Sequence, residues 1–321
     1  MFLKTISKNH IFVISFIFLC GIGSSCSLIS SSQTDESQKN GKKSSARFEE
    51  PTVVGRIRSR EITESSGLVA SRCNEGVFWT HNDSGNGTFI FALDKKGEKL
   101  GTWKIQRVNS GDWEDLATVK RSSGECLLFI GDIGNNSRLR KQQKIVRVIE
   151  PKVSPADRIS SKRRPRLASP PEVIRFVYPG VRSDSEALLI HPQTEAIYIL
   201  TKRFSGASGV YKLTEDYNNK DINKLVKVGD VSLPAFPNGV VTGGEISSDG
   251  KRVILCDYFN GYELELPESS KNFDEIWKDE PSIIKLGKRE QGEAICYSLD
   301  GNSVFATSEK RNSPLIEVKR K

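Results

Sequence analysis

The sequence predicts an all-β fold, a five-bladed β-propeller, and three observations carry that prediction. A short acidic motif returns along the chain, each return opens a set of short strand-like runs, and a spare strand near the N-terminus fits a gap near the C-terminus. The motif is fullest at Asp112-Trp113-Glu114-Asp115-Leu116. Its other copies are Glu64-Ser65-Ser66-Gly67-Leu68, Asp184-Ser185-Glu186-Ala187-Leu188, Gly243-Gly244-Glu245-Ile246-Ser247 and Gln291-Gly292-Glu293-Ala294-Ile295. With Ser66, Glu114, Glu186, Glu245 and Glu293 as one column, successive intervals are 48, 72, 59 and 48 residues. Blades repeat every roughly 40 to 50 residues and hold four strands each.

The first blade reads Leu68 to Ser71, Val77 to Thr80, Thr88 to Leu93 and Leu100 to Ile105, with Gly76, Gly85, Gly87 and Gly97 in its reversals. The second reads Leu116 to Val119, Cys126 to Ile130, Ile145 to Ile149 and Val173 to Tyr178. A polar, Pro-rich insertion, Glu150 to Glu172, explains the long interval, although a sixth blade is the alternative. The third takes Leu188 to His191, Ala196 to Leu200, Val210 to Leu213 and Leu225 to Leu233. The fourth takes Ile246 to Ser248, Val253 to Cys256, Tyr262 to Leu266 and Ile283 to Leu286. The fifth has only Ala294 to Ser298, Val304 to Thr307 and Leu315 to Val318. Thr52 to Ile57 has the apolar character of a fourth strand, and pairing it there closes the ring and removes two free edges.

Residues 1–25 read as a secretory signal peptide: Lys4 and Lys8 precede an apolar run, Ile11 to Gly23, that is short for a membrane span. Small residues then lead to Cys26, in a stretch that resembles a bacterial lipoprotein cleavage site except for Gly23 in place of the usual Leu, so Cys26 is the expected lipidation point, with simple release as the alternative. Residues 26–50, rich in Ser, Lys, Gln and Asn, bury too little to order themselves and are expected to be a tether. The propeller occupies 51–321. The expected place is the cell envelope, on a membrane through the lipid, and a monomer is expected. Of the remaining cysteines, Cys73 and Cys126 fall in or beside equivalent turns, so a bridge and two buried thiols are both open; Cys256 and Cys296 lack metal spacing.

The net charge of +8 is local, concentrated at Lys42-Lys43 and at Lys162-Arg163-Arg164-Pro165-Arg166. No aromatic residues interleave those runs, which argues against nucleic acid and for solvated loops. The motifs are acidic instead. In a propeller, the loops entering first strands and those joining second to third strands share a face. That gathers Glu64, Asp112, Glu114, Asp184, Glu186, Glu245 and Glu293, with Asp83, Asp132, Asp257 and Glu309 behind them and Lys202 and Arg203 as partial counter-charge. So many carboxylates raise one another's pKa unless a cation joins them, and a hard cation that tolerates irregular oxygen ligation, Ca2+, is expected. The first seven are the candidate metal ligands; Asp83, Asp132, Lys202, Arg203, Asp257 and Glu309 are candidate ligand-binding residues. Glu114, Glu186, Glu245 and Glu293 are the candidate catalytic residues, should there be a reaction. The competing reading is that each acid only accepts backbone hydrogen bonds. Zinc is disfavoured, because neither His81 nor His191 has a partner at ligand spacing. Trp79 and Trp113 are expected to fill gaps between blades.

Glu64-Ser65-Ser66-Gly67-Leu68, Asn82-Asp83-Ser84-Gly85 and Asp184-Ser185-Glu186-Ala187-Leu188 resemble motifs of exported bacterial propellers of the phytase-like and SdiA-regulated groups. Asp112 to Leu116, Gly131 to Asn136 and Gln291 to Ile295 are similar to motifs of uncharacterised propeller proteins. The resemblance implies an exported propeller, in some relatives with bound calcium, and phosphate-ester chemistry. Five blades where phytases have six, and Lys202 where other blades place an acid, depart from that pattern. Three functions therefore stand: a calcium-bearing binder of a polar small molecule, a metal-dependent hydrolase of phosphate esters or saccharides, and a scaffold for an envelope protein.

Overall fold

The computed structural model describes residues 47–214, 216–234 and 239–321. The signal peptide, Cys26 and the tether up to residue 46 lie outside the described residues. The described chain is an all-β propeller of short antiparallel strands. After β1 (Thr52–Ile57), a first meander comprises β2 (Ser65–Ala70), β3 (Val77–Asn82), β4 (Phe89–Asp94) and β5 (Lys99–Lys104). The second is β6 (Trp113–Lys120), β7 (Cys126–Asp132) and β8 (Gln143–Ile149), completed beyond the two-residue β9 (Arg166–Leu167) by β10 (Glu172–Val177). The third is β11 (Ser185–Ile190), β12 (Ile197–Thr201), β13 (Ser208–Leu213) and β14 (Ile222–Val231). The fourth is β15 (Gly243–Ile246), β16 (Arg252–Cys256), β17 (Asn260–Glu265) and β18 (Ser282–Lys285). Last come β19 (Gly292–Tyr297), β20 (Ser303–Ser308) and β21 (Ser313–Lys319), with β1 as the fourth strand, antiparallel to β21.

The inner strands β2, β6, β11, β15 and β19 touch one another in cyclic order. An apolar cluster fills each junction, which is where the hydrophobic faces of facing sheets must go. Trp79, Trp103 and Trp113 pack between the first and second meanders, and Phe129, Phe176 and Leu188 between the second and third. Tyr198, Tyr262 and Trp277 lie between the third and fourth, Ile254, Ile284 and Tyr297 between the fourth and fifth. Phe78 meets Phe305 at 4.7 Å between ring centroids where the ring closes. Trp79 and Trp113 are therefore packing residues, as expected.

Three details depart from the sequence reading. The propeller includes residues before 51: Phe48 is buried, Arg320 lies over its ring, and Glu49 N–H bonds the Lys319 carbonyl at 2.8 Å. One aromatic side chain with a pocket between the last two meanders offsets the polar composition around it. The basic insertion is a strap rather than a free loop. It turns at Pro155–Ile159 and lays β9 parallel to β5, while Lys162 N–H reaches the Glu61 carboxylate at 2.6 Å. The edge of the first meander is thereby covered. Finally, β10 pairs with β14 in parallel, which joins the second and third meanders at their outer edges.

Cys73 and Cys126 form a disulfide across the first and second meanders. This settles the open alternative for that pair, whereas Cys256 and Cys296 are buried thiols.

Candidate functional site

Local backbone geometry builds the channel mouth. In β6 the register runs Trp113 opposite Asp132 and then Asp115 opposite Gly131, so Glu114 is the extra residue of a bulge. Glu186 and Glu293 are the extra residues of matching bulges in β11 and β19, and Ser66 lies within the irregularity of β2. A bulge re-aims its side chain out of the alternation that would otherwise bury it between sheets. The residue two before each bulge position is tied to the loop leaving the second strand. Glu64, Asp112, Asp184 and Gln291 accept at their carbonyls from Asp83, Gly134, Lys202 and Glu309 N–H, at 2.9 to 3.2 Å. The two motif families thus meet on one face, as the topology requires.

Glu114 is the centre of the carboxylate group. It shares one set of mutually close oxygens, within 4.8 Å, with Asp83 and Asp112, and a second with Asp184 and Glu186. Glu114 and Glu186 hydrogen-bond each other, and the Lys202 ammonium sits 2.7 Å from Glu186. Burial first, then the Glu186 charge, pushes Glu114 well above the ordinary carboxylate range. Burial alone would lower Lys202, but Glu186 outweighs it and holds the ammonium above its usual range. Glu114 is therefore the donor within the pair, while Glu186 is also pushed up by burial, to about 7, with Lys202 opposing the rise. Burial likewise raises Asp83, Asp112 and Asp184.

A second pair faces it across the closure. Glu309 donates to Glu293, which also accepts from Gln291 Nε2 at 2.9 Å, and burial followed by the Glu293 contact raises Glu309. Glu64 joins them through a backbone bridge to Glu309, its own carboxylate receiving Asn86 Nδ2 at 2.5 Å. Lys202, with Tyr258 and Phe204 ringed about its ammonium, forms the remaining wall.

Four expected residues lie elsewhere, and register explains each. Ser247 N–H to the Arg252 carbonyl and Ser298 N–H to the Ser303 carbonyl close equivalent reversals, so Ser247 matches Ser298. Counting back, Thr242 matches Glu293, and Glu245 matches Cys296, three residues further along the inner strand. Glu245 is buried there, accepting Tyr297 N–H at 2.7 Å and facing Arg72 at 3.8 Å. Burial pushes its carboxyl up to about 7. Thr242 spends its hydroxyl on the Gly292 carbonyl at 2.9 Å. Asp132 and Asp257 end the second strands one residue too early to face the mouth. Asp132 accepts Gly111 and Asp112 N–H and pairs with Arg140 and Lys144. It orders the approach to Asp112 rather than a ligand. Asp257 accepts Phe259 and Asn260 N–H and the Tyr262 hydroxyl. Arg203 is exposed, beyond Lys202.

Asp115 is a structural residue that the motif contained without a role. Its counterparts in the register are Gly67, Ala187, Gly243 and Ala294, so one long side chain occupies a level of the channel where the other four are small. The signal was one acid in a column of Gly and Ala, visible only once the register is right. His81 is buried, bonds the Asn82 carbonyl through Nδ1 at 2.8 Å and meets Trp113 edge-on; burial pushes it down to about 4. It is a packing residue.

No family model matches the chain, and no curated protein matches it. Solved structures do. One is the soluble aldose sugar dehydrogenase of Escherichia coli in its apo form, at 9% identity and a TM-score of 0.45, with 85% of this chain and 99% of that chain covered. At that distance the likeness carries no argument about what happens at the mouth.

Proposed function

We propose that the channel mouth binds a hard divalent cation of the calcium type and, together with it, a polar ligand. The observation that carries this reading is Glu114, shared between two sets of close carboxylates from three successive meanders. The donor set fits such an ion: every side chain is an oxygen donor, their number suits irregular ligation, and Lys202 is the one ammonium among them. Gly134 also supports it, since a Cβ there would fall 2.0 Å from Glu114 Oε1 and 2.5 Å from the Asp112 carboxylate. The glycine leaves the carboxylates their space. Phe204 and Phe259, 67% and 61% exposed on loops of the same face, are surfaces on which a polar ring could stack. The same proposal puts this binder on an envelope membrane through lipid; its support is the leader sequence and Cys26, read as an export signal and a lipidation point.

Equilibrium calcium binding by the full-length protein, with melting followed with and without chelator, tests it. Binding with a melting shift that chelator abolishes is expected; no binding and no shift would end the proposal.

A second reading is favoured by the proton-holding pairs, Glu114 with Glu186 and Glu309 with Glu293. A carboxyl raised well above its ordinary range and hydrogen-bonded to a second carboxyl, as Glu114 and Glu309 are, is an arrangement general acid and base catalysis can use. Phosphate monoesters, which the phytase-like resemblance implies, and glycosides are the substrates to assay. Loss of turnover in Glu114→Gln and Glu293→Gln, with the fold intact, would support a hydrolase. Glu245 leaves the set of catalytic candidates because of its place in the channel.

A further inference from the structure

Beside the mouth, the loop entering β6 and the starts of β8 and β10 frame an open cavity of about 310 Å3, and its charge is opposite to that of the mouth. Arg107, Arg140, Lys144 and Arg175 line it together with Asn109 and Gln143, and no carboxylate does. Arg140 and Lys144 both lean on Asp132 behind the wall, at 2.5 and 3.1 Å. Neither Arg107 nor Arg175 pairs with a carboxylate among the described residues. One negative charge thus answers four positive ones.

The sheet register adds to the imbalance, although Arg107 and Arg175 are exposed and solvent screens them. Lys144 and Arg175 are direct partners across β8 and β10, on one face, and like charges placed so repel. Arg107 stands in the left-handed backbone region at φ 59°, uncommon for a side chain of its size. The repulsion between like charges at one polar cavity is what a bound anion would relieve. Guanidinium forks present paired N–H donors matched to tetrahedral oxyanions. The volume exceeds that of a bare oxyanion and leaves room for a substituent.

We propose that this cavity is a binding site for a phosphate-class oxyanion, in particular a phosphate monoester. It is independent of the cation proposed at the mouth, and it works by charge and hydrogen bonding alone.

The experiment is calorimetric titration of the full-length protein, at low ionic strength and with chelator present, using inorganic phosphate and phenyl phosphate as probes. Chelator keeps metal at the mouth from supplying the binding. The paired substitution Arg107→Gln with Arg175→Gln should weaken both probes at least about tenfold, the scale of losing charged hydrogen bonds. The exposed pair Arg163→Gln with Arg164→Gln, on the strap, should leave them unchanged. Should the first pair misfold, Arg175→Lys keeps the charge, removes the fork and should still weaken phenyl phosphate. No binding of either probe at millimolar concentration, or equal weakening by both pairs, would overturn the proposal.

Discussion

The Asp115 carboxylate, on the inner strand of the second meander, accepts a hydrogen bond from the Leu188 amide of the third at 3.0 Å. The same oxygen receives the Gly244 amide of the fourth at 3.3 Å, and the other receives Leu116 N–H at 2.8 Å. Inner strands of a ring have no further strand to pair with, so their channel-facing amides need another acceptor. One side chain supplies it for three strands, at a level where Gly67, Ala187, Gly243 and Ala294 leave room.

Removing that acceptor strands buried donors. Asp115→Ala should cost about 2 to 4 kcal/mol, the range for leaving two or three buried amides unsatisfied. Asp115→Asn should cost much less, because burial holds the acid well above its ordinary range and the amide keeps one acceptor oxygen. Urea denaturation compares them. An alanine variant within about 0.5 kcal/mol of the parent, as for an ordinary surface change, would refute the bridging role.

Stability should fall as pH rises from about 4.5 to about 7, and Glu245 should account for part of the fall. Its folded-state pKa is raised from 4.5 to about 7, so across that window the folded chain holds a proton that the unfolded chain has released. Stability is then fully present below the unfolded value and lost through the folded one. The contribution is on the order of 3 kcal/mol at most, from the free energy of a pKa shift, with the opposing Arg72 charge already included. Glu245→Gln should flatten denaturation midpoints measured at pH 5 and pH 7.5. An unchanged slope would show that Glu245 ionises alike in both states.

Glu245 also shows where the sequence stops being legible. Strand positions, the closing role of Thr52 to Ile57 and the face carrying the acids all follow from alternation and turn residues, which are local. The column of Glu residues did not transfer to the fourth meander because its strand lacks the bulge that the others carry. Without that extra residue, aligning on the visible Glu slips the register by three. Asp132 and Asp257 fall one residue short of the mouth for a different reason: strand ends are set by hydrogen bonds, not by composition. Phe48 shows the converse, a single apolar residue whose pocket is assembled by segments hundreds of residues away.

The disulfide should be a main source of chain stability. It closes a separation of 53 residues between two meanders otherwise joined by the backbone between β5 and β6 and by noncovalent packing. Loop entropy alone makes such a bridge worth about 4 kcal/mol. Cys73→Ser should lower the urea midpoint accordingly, and added reductant should lower the parent to the same value. Indifference of both to reductant would mean the bridge does not form in the cell.

Glu114→Gln should act in opposite directions with and without metal. Without a cation, the substitution removes a carboxyl whose ionised form is disfavoured by burial and by Glu186, so the variant should melt at or above the parent. With calcium, the parent gains about 2.7 kcal/mol at a hundredfold excess over Kd, and the variant, which has lost the carboxylate charge common to both ligand sets, should gain little. The cation must also displace the proton that Glu114 shares with Glu186, so binding should release protons and tighten as pH rises. Calorimetry in buffers of different ionisation enthalpy reads that release. A calcium shift of equal size in parent and variant, with no proton released, would remove Glu114 from the site.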